Sequence, residues 1–197
     1  MDDFAVSLFY SYFPCLPGMI TNAITVDPQS TLSACIRAVG LAAYAKRQNS
    51  AHISTEANRY YGSALKKTNS IVASPSDALH DNTLLAIMLL SNFEELLGGG
   101  RPSRTARLAH SRGSAAILAL RGTEQLATAN GRFLLMHASM NLTWDCKHNE
   151  HRIPKEVLRL TGEVVDLLDP DDPGSTSWIV HRARLILANL YTDMLNG

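Results

Sequence analysis

A chain of 197 residues with 18 Lys and Arg against 18 Asp and Glu is formally neutral, and it is 46 % hydrophobic but only 18 % charged. This length can bury roughly 70 % of the surface its unfolded form exposes, so a core needs no disulfide or metal staple. The neutral, apolar balance excludes a protein that wraps nucleic acid through a basic surface, and equally a charged disordered tail.

In chain order, Phe4, Leu8, Phe9, Tyr12 and Phe13 recur at spacings of three and four, which predicts a short amphipathic helix ending before Pro14. Leu32 to Arg47 is rich in alanine and other small residues and reads as a helix packed on several sides, central to the core. Ala57, Tyr61, Ala64, Leu65, Thr68, Ile71 and Val72 mark a third helix, with Ser54 or Thr55 as its cap and Ser74-Pro75 as its end. The most apolar helix begins at Asp81, whose carboxylate can accept from first-turn amides, and runs to the glycines at 98–100. Those glycines with Arg101-Pro102 read as a flexible connection. Helix five spans about Ser103 to Arg121, stopped by Gly122 in the left-handed conformation. After Asn130-Gly131 a further helix carries RFLLMHASMNLTWDC, and Pro154 takes the first helical position before KEVLRLTGEVVDLL. Asp169 to Gly174 forms a turn, and Ser175 caps a last helix that ends near Asn196. No period-two alternation competes. The expectation is an all-α array of about eight antiparallel helices in helical hairpins, a single helical domain over 1–197.

Several stretches, in order, resemble one family. An alanine-rich helix is followed by Ala57, Tyr61, Ala64 and Leu65 in an A-x-x-x-Y-x-x-A-L pattern, then by Asp81, Thr83, Leu84, Leu85 and Ala86, and an apolar run closing on Phe93-Glu94. His110, Gly113 and Ser114-Ala115 approximate an H-x-x-G-A segment, and Arg121-Gly122 match an arginine-glycine stop. ANGRFLL, Cys146 and Ile153-Pro154 continue the likeness, and AVSLFYSYF is similar to an aromatic opening segment. Together these resemble the fungal-specific transcription factor domain, the helical middle region of fungal zinc-cluster (Zn2Cys6) regulators. Two departures stand out. Members commonly have a tryptophan three positions before the histidine, where this chain has Arg107. The family's DNA reader uses six closely spaced cysteines on two zinc ions, and Cys15, Cys35 and Cys146 cannot build it.

The resemblance implies transcription regulation in the nucleus through protein contacts or an effector, with no direct DNA contact by this chain. It implies structural roles for Tyr61, Asp81, Phe93, Glu94, His110, Gly113, Arg121 and Gly122. The partners implied are proteins of the transcription machinery or another subunit, with an apolar small-molecule effector as a further option. The alternative is a stand-alone helical small-molecule sensor or protein-interaction module derived from that domain, and an enzyme is a third reading. Family domains run well past this length, so the chain is expected to be shortened, or to bury the apolar face of its last helix (Trp178, Leu185, Ile186, Leu190, Met194) against another subunit.

Three scattered cysteines without a C-x-x-C pair point to a reducing compartment, nucleus or cytoplasm. The acidic start and the break at Pro14 do not resemble an export signal, and the apolar runs Ala38 to Ala45 and Leu84 to Leu90 are too short to cross a bilayer. Cys146, His148 and His151 form the one tight group of metal-ligand types, but a fourth ligand is wanting beyond Glu150, and a polar loop is the plainer reading; no metal or cofactor is expected. His110 with Ser111 and the acids Glu94, Glu95 or Asp81 contains the parts of a triad, yet no nucleophile elbow or strand holds a serine. The expectation is instead a structural tie from His110 to Glu94 across adjacent helices, with no catalytic residue. Arg101, Arg104, Arg107, Arg112 and Arg121 read as the solvated face of one helix and its loop. Met88, Met136, Met140 and Met194 with Phe93, Phe133 and Trp144 read as core filling, with an apolar pocket as the alternative.

Overall fold

A computed structural model of the chain describes residues 2–12, 27, 29–97, 101–149, 151–169, 171 and 174–196. Among the described residues there are nine α-helices, one 3-10 helix and no strand, so the protein is all-α. In order they are α1 (Asp2–Tyr12), α2 (Thr31–Gln48), α3 (Ala51–Val72), α4 (Pro75–Ala78), α5 (Asp81–Leu97), α6 (Arg101–Arg121), the 3-10 helix (Gly122–Ala127), α7 (Ala129–Asn149), α8 (Lys155–Leu167) and α9 (Ser175–Asn196). The chain divides into two compact units, Met1–His110 and Ser111–Gly197, with the boundary inside α6. No described helix is long and apolar enough to cross a membrane.

The first unit is built around α2, which packs against α1, α3 and α5. Its alanines explain this position: Ala34, Ala38, Ala42 and Ala45 are buried along with Cys35, Ile36, Val39 and Leu41, on faces pointing in several directions. At Gly40 the backbone of α1 comes so close that a Cβ would lie 2.2 Å from the Ala5 carbonyl oxygen. Only a residue without a side chain admits that contact. The approach also selects which face of α1 is buried. Ala5 and Phe9 are buried against α2, whereas Phe4, one of the expected face residues, is 49 % exposed and rests edge-on against Tyr44 at 5.4 Å. Phe13 lies outside the described residues.

Asn49 ends α2 in the left-handed conformation (φ 50°), with Ser50 N–H bonding to Ala45 O at 3.0 Å. Ser50 then caps α3, its hydroxyl accepting from Ile53 N–H at 3.4 Å. The helix therefore starts earlier than Ser54 and Thr55, whose hydroxyls instead donate to the carbonyls of Ser50 and Ala51 one turn back. Along α3 only Ala57, Ala64 and Thr68 are buried; Leu65 and Ile71 are half-buried and Val72 is exposed. Ser74-Pro75 closes the pattern as expected, but Pro75 opens the short helix α4, since proline at the first position loses no needed hydrogen bond. Thr83 donates to Asp77 O at 2.7 Å and joins α4 to α5.

Residues 98–100 lie outside the described residues. Arg101 and Pro102 are the first turn of α6, not part of a connection, because first-turn amides have no intrahelical acceptor for proline to remove. At the other end Gly122 has φ 57°, the left-handed stop read from the sequence.

In the second unit Gln125 donates to Leu118 O (2.9 Å) and Gly122 O (2.7 Å) and locks the 3-10 turn. Asn130-Gly131 belongs to the first turn of α7, not to a break before it, because Thr128 supplies a cap by accepting from Gly131 N–H at 3.0 Å. Pro154 flanks α8 and is not its first helical residue; its carbonyl accepts from Val157 and Leu158. Val157, Leu160 and Val164 form its buried stripe. The Asn189 amide of α9 grips Ile153 from both sides, accepting from its N–H at 2.7 Å and donating to its carbonyl at 3.4 Å. Ser175 does not act as the expected cap: it is the first residue of α9, and its hydroxyl donates to Asp169 O at 2.5 Å. Positions 170, 172 and 173 of the turn expected at 169–174 lie outside the described residues.

Candidate functional site

Four residues quoted for the family resemblance meet in the first unit. Tyr61 lies on α3, Phe93 and Glu94 close α5, and His110 is in α6. The Tyr61 and Phe93 rings stack with centroids 4.3 Å apart and planes 9° from parallel. The Tyr61 hydroxyl lies 3.3 Å from His110 Nε2 and is hydrogen-bonded to the Glu94 carboxylate. A carboxylate only accepts, so the phenol donates to Glu94 and accepts from the imidazole Nε2–H. Burial and the Glu94 charge hold the Tyr61 hydroxyl neutral well above the ordinary tyrosine range. Burial lowers the His110 pKa, with the Glu94 charge acting against it, so the imidazole is neutral at pH 7. The tie expected between His110 and Glu94 runs through Tyr61. It fastens three helices at one point and spans 49 residues of sequence between Tyr61 and His110.

Next to this cluster Cys35 is fully buried and directs its thiol at Ala86 O, 3.7 Å away. Burial pushes the thiol up to about 12, which keeps it protonated and inert as a nucleophile.

The other four expected positions are on α5, in α6 and at its end. Asp81 is the first residue of α5, where the partial positive charge of the helix start favours a carboxylate. It is thirteen residues, or about 20 Å of helix, from Glu94. Gly113 is inside α6, and Arg121 and Gly122 mark its end. Of the residues that could make up a triad, Ser111 is buried, Glu95 is exposed, and Asp81 is at the far end of α5 from Glu94.

The basic stretch is not one solvated face. Arg104 and Arg112 are exposed, but Arg107 and Arg121 are half-buried, each with a guanidinium nitrogen shielded from solvent. Of the Cys146, His148 and His151 group, the first two side chains lie outside the described residues, and His151 is exposed with Nε2 3.4 Å from an Arg112 nitrogen. Among the described residues no group of three metal-ligand side chains converges. The methionine and aromatic set is divided between the two units. Met88 and Phe93 fill the first unit's core, while Met140, Trp144 and Met194 of the second unit are exposed.

A second polar cluster lies outside every motif of the sequence. In the second unit Ser139 of α7 is fully buried, and its Oγ lies 2.6 Å from His181 Nε2 of α9. The hydroxyl also reaches Leu135 O (2.6 Å) and Met136 O (2.9 Å) in the preceding turn. With its one proton directed at those carbonyls, it accepts from the imidazole Nε2–H. Burial, helped by the charge of Arg184 and by His137, lowers the His181 pKa to about 4. Burial also lowers the pKa of His137, whose ring packs against Phe133 at 4.2 Å. The available signal was positional: Trp178, His181 and Leu185 are spaced by three and four on the buried stripe of α9.

No protein-family model matches the chain, and no curated protein or solved structure shows a significant match to it.

Proposed function

We propose that the chain is a regulatory domain of the fungal-specific transcription factor kind, controlling transcription in the nucleus through protein contacts or an effector and not by touching DNA itself. The observation that supports this reading is the meeting of Tyr61, Phe93, Glu94 and His110. These residues come from three separate stretches of the resemblance, and a shared structural cluster gives a physical reason for their occurring as a set. The reading carries with it the antiparallel hairpin arrangement, a single regulatory domain and structural roles for all eight motif residues.

The chemistry of the buried groups supports a non-enzymatic role. The Cys35 thiol stays protonated, the Ser139 hydroxyl is committed to helix carbonyls, and His110 is held in a hydrogen bond with Tyr61. Among protein and small-molecule partners, the exposed apolar residues of α9 favour protein. Fusing the chain to a heterologous DNA-binding domain tests the reading: a reporter with the matching sites should change its transcription several-fold. A reporter that ignores the fusion, with the fused protein present in the nucleus, would sink it.

A further inference from the structure

The last helix is apolar on two sides. One side, with Trp178, His181, Leu185 and Thr192, is buried against α7 and α8. The other carries Ile179, Ile186, Leu187, Leu190 and Met194, which are 54, 46, 63, 53 and 81 % exposed. With Ala183, the series 179, 183, 186, 190, 194 steps by four, three, four and four, the spacing of a seam that packs against another helix. Scattered apolar residues on a surface mean little, but a continuous helical stripe of this size marks an interaction site.

We infer that α9 pairs with α9 of a second copy of this chain, antiparallel, about a two-fold axis between Leu187 and Ala188. Two features of the helix select this occupant. The first is extent: five large apolar side chains, 46–81 % exposed, run along about four turns of one helix, the kind of continuous patch from which a standard interface of ~800 Å2 per partner is built. The second is charge. α9 carries Arg182 and Asp193 on the same flank of the stripe, the flank beside α8. The Arg182 guanidinium lies over Gly162 of α8, and Asp193 pairs with Arg152, just before α8. A two-fold axis perpendicular to antiparallel helices brings like flanks together. Because 182 and 193 are equidistant from the axis, Arg182 of each copy then faces Asp193 of the other. In the same register Ile186 and Leu190 of one copy alternate with Leu190 and Ile186 of its mate along the seam. Two opposite-charge contacts and a continuous apolar seam thus arise from one symmetric placement. The pairing holds whether or not the chain regulates transcription.

Sedimentation equilibrium of the full chain tests it, with a dimer expected at tens of micromolar. Leu190→Glu, a change at an exposed position, should raise the dissociation constant at least tenfold while leaving helical circular dichroism unchanged. Arg182→Glu should weaken the dimer, and adding Asp193→Arg should restore it. Under mild oxidation Leu187→Cys, beside the axis, should cross-link to itself well above the unsubstituted chain, and Ile179→Cys should not. A monomer at 100 μM overturns the inference, as does a dimer indifferent to Leu190→Glu. Cross-linking through Ile179→Cys, or no rescue by the charge exchange, overturns the antiparallel register.

Discussion

Tyr61 turns two half-buried polar groups into a satisfied network, because one phenolic oxygen both donates to Glu94 and accepts from His110. Removing that oxygen by Tyr61→Phe leaves both partners short of a hydrogen bond while keeping the ring stacked on Phe93. We expect a loss of about 1–3 kcal/mol, read by urea denaturation. Glu94→Ala should also lower the melting temperature, and in a double-mutant cycle the two losses should fall short of adding, since both break the same contact. The folded His181 pKa, about 4, lies below the unfolded value near 6.5, so between these values the unfolded chain binds the extra proton. The stability that His181 contributes is therefore present above pH 6.5 and is lost as pH falls toward 4. His110 and His137, also lowered, act in the same direction. Thermal melts from pH 7 to pH 4 should show a decline on the order of 2–3 kcal/mol from His181 alone, and His181→Gln should flatten it. An unchanged slope in that variant would show that other groups govern the acid response. Tyr61, Glu94 and His110 could be singled out from the sequence, but the role of Tyr61 between the other two could not, because it depends on three helices converging. Ser139 and His181 gave less: serine in a helix interior is common, and only the packing of α9 on α7 makes its hydroxyl a partner.

Helices were legible where local chemistry decides. Alanine-rich α2, apolar α5 and the Gly122 stop follow from propensity, hydrophobic pattern and backbone freedom. Helix starts were less so, since Ser50 competes with Ser54 and Gly174 with Ser175 for the same function, and pattern alone does not rank neighbouring caps. Burial was least legible for α1. Its aromatic residues suggested the inner face, yet the inward residue opposite Gly40 is Ala5, because the two backbones approach too closely for anything larger. Gly40→Val should therefore push α1 off α2 at a cost of about 1–3 kcal/mol. Hydrogen exchange should then speed up selectively in residues 4–11; protection equal to the parent protein would contradict the contact.

At the scale of the whole chain, equal numbers of acidic and basic residues and a pI near 7.1 leave little net repulsion between copies at neutral pH. With the α9 stripe exposed, solubility should pass through a minimum near pH 7 and improve on either side as net charge grows. Turbidity measured across pH at fixed concentration checks this, and a flat profile would show that the stripe does not govern association. The sequence by itself determined that the protein is all-α, that α2 is packed on several sides, and where most helices run, because those outcomes depend on side-chain size, period and capping within a few residues. Only the tertiary structure decided which apolar faces are covered. Trp178 and Ile186 of α9 are equally apolar by sequence, yet one is buried and the other is open. The same holds for the polar clusters. A hydrogen bond between Tyr61 and His110, or between Ser139 and His181, is a relation between helices, and helical periodicity carries no record of which helix lies across.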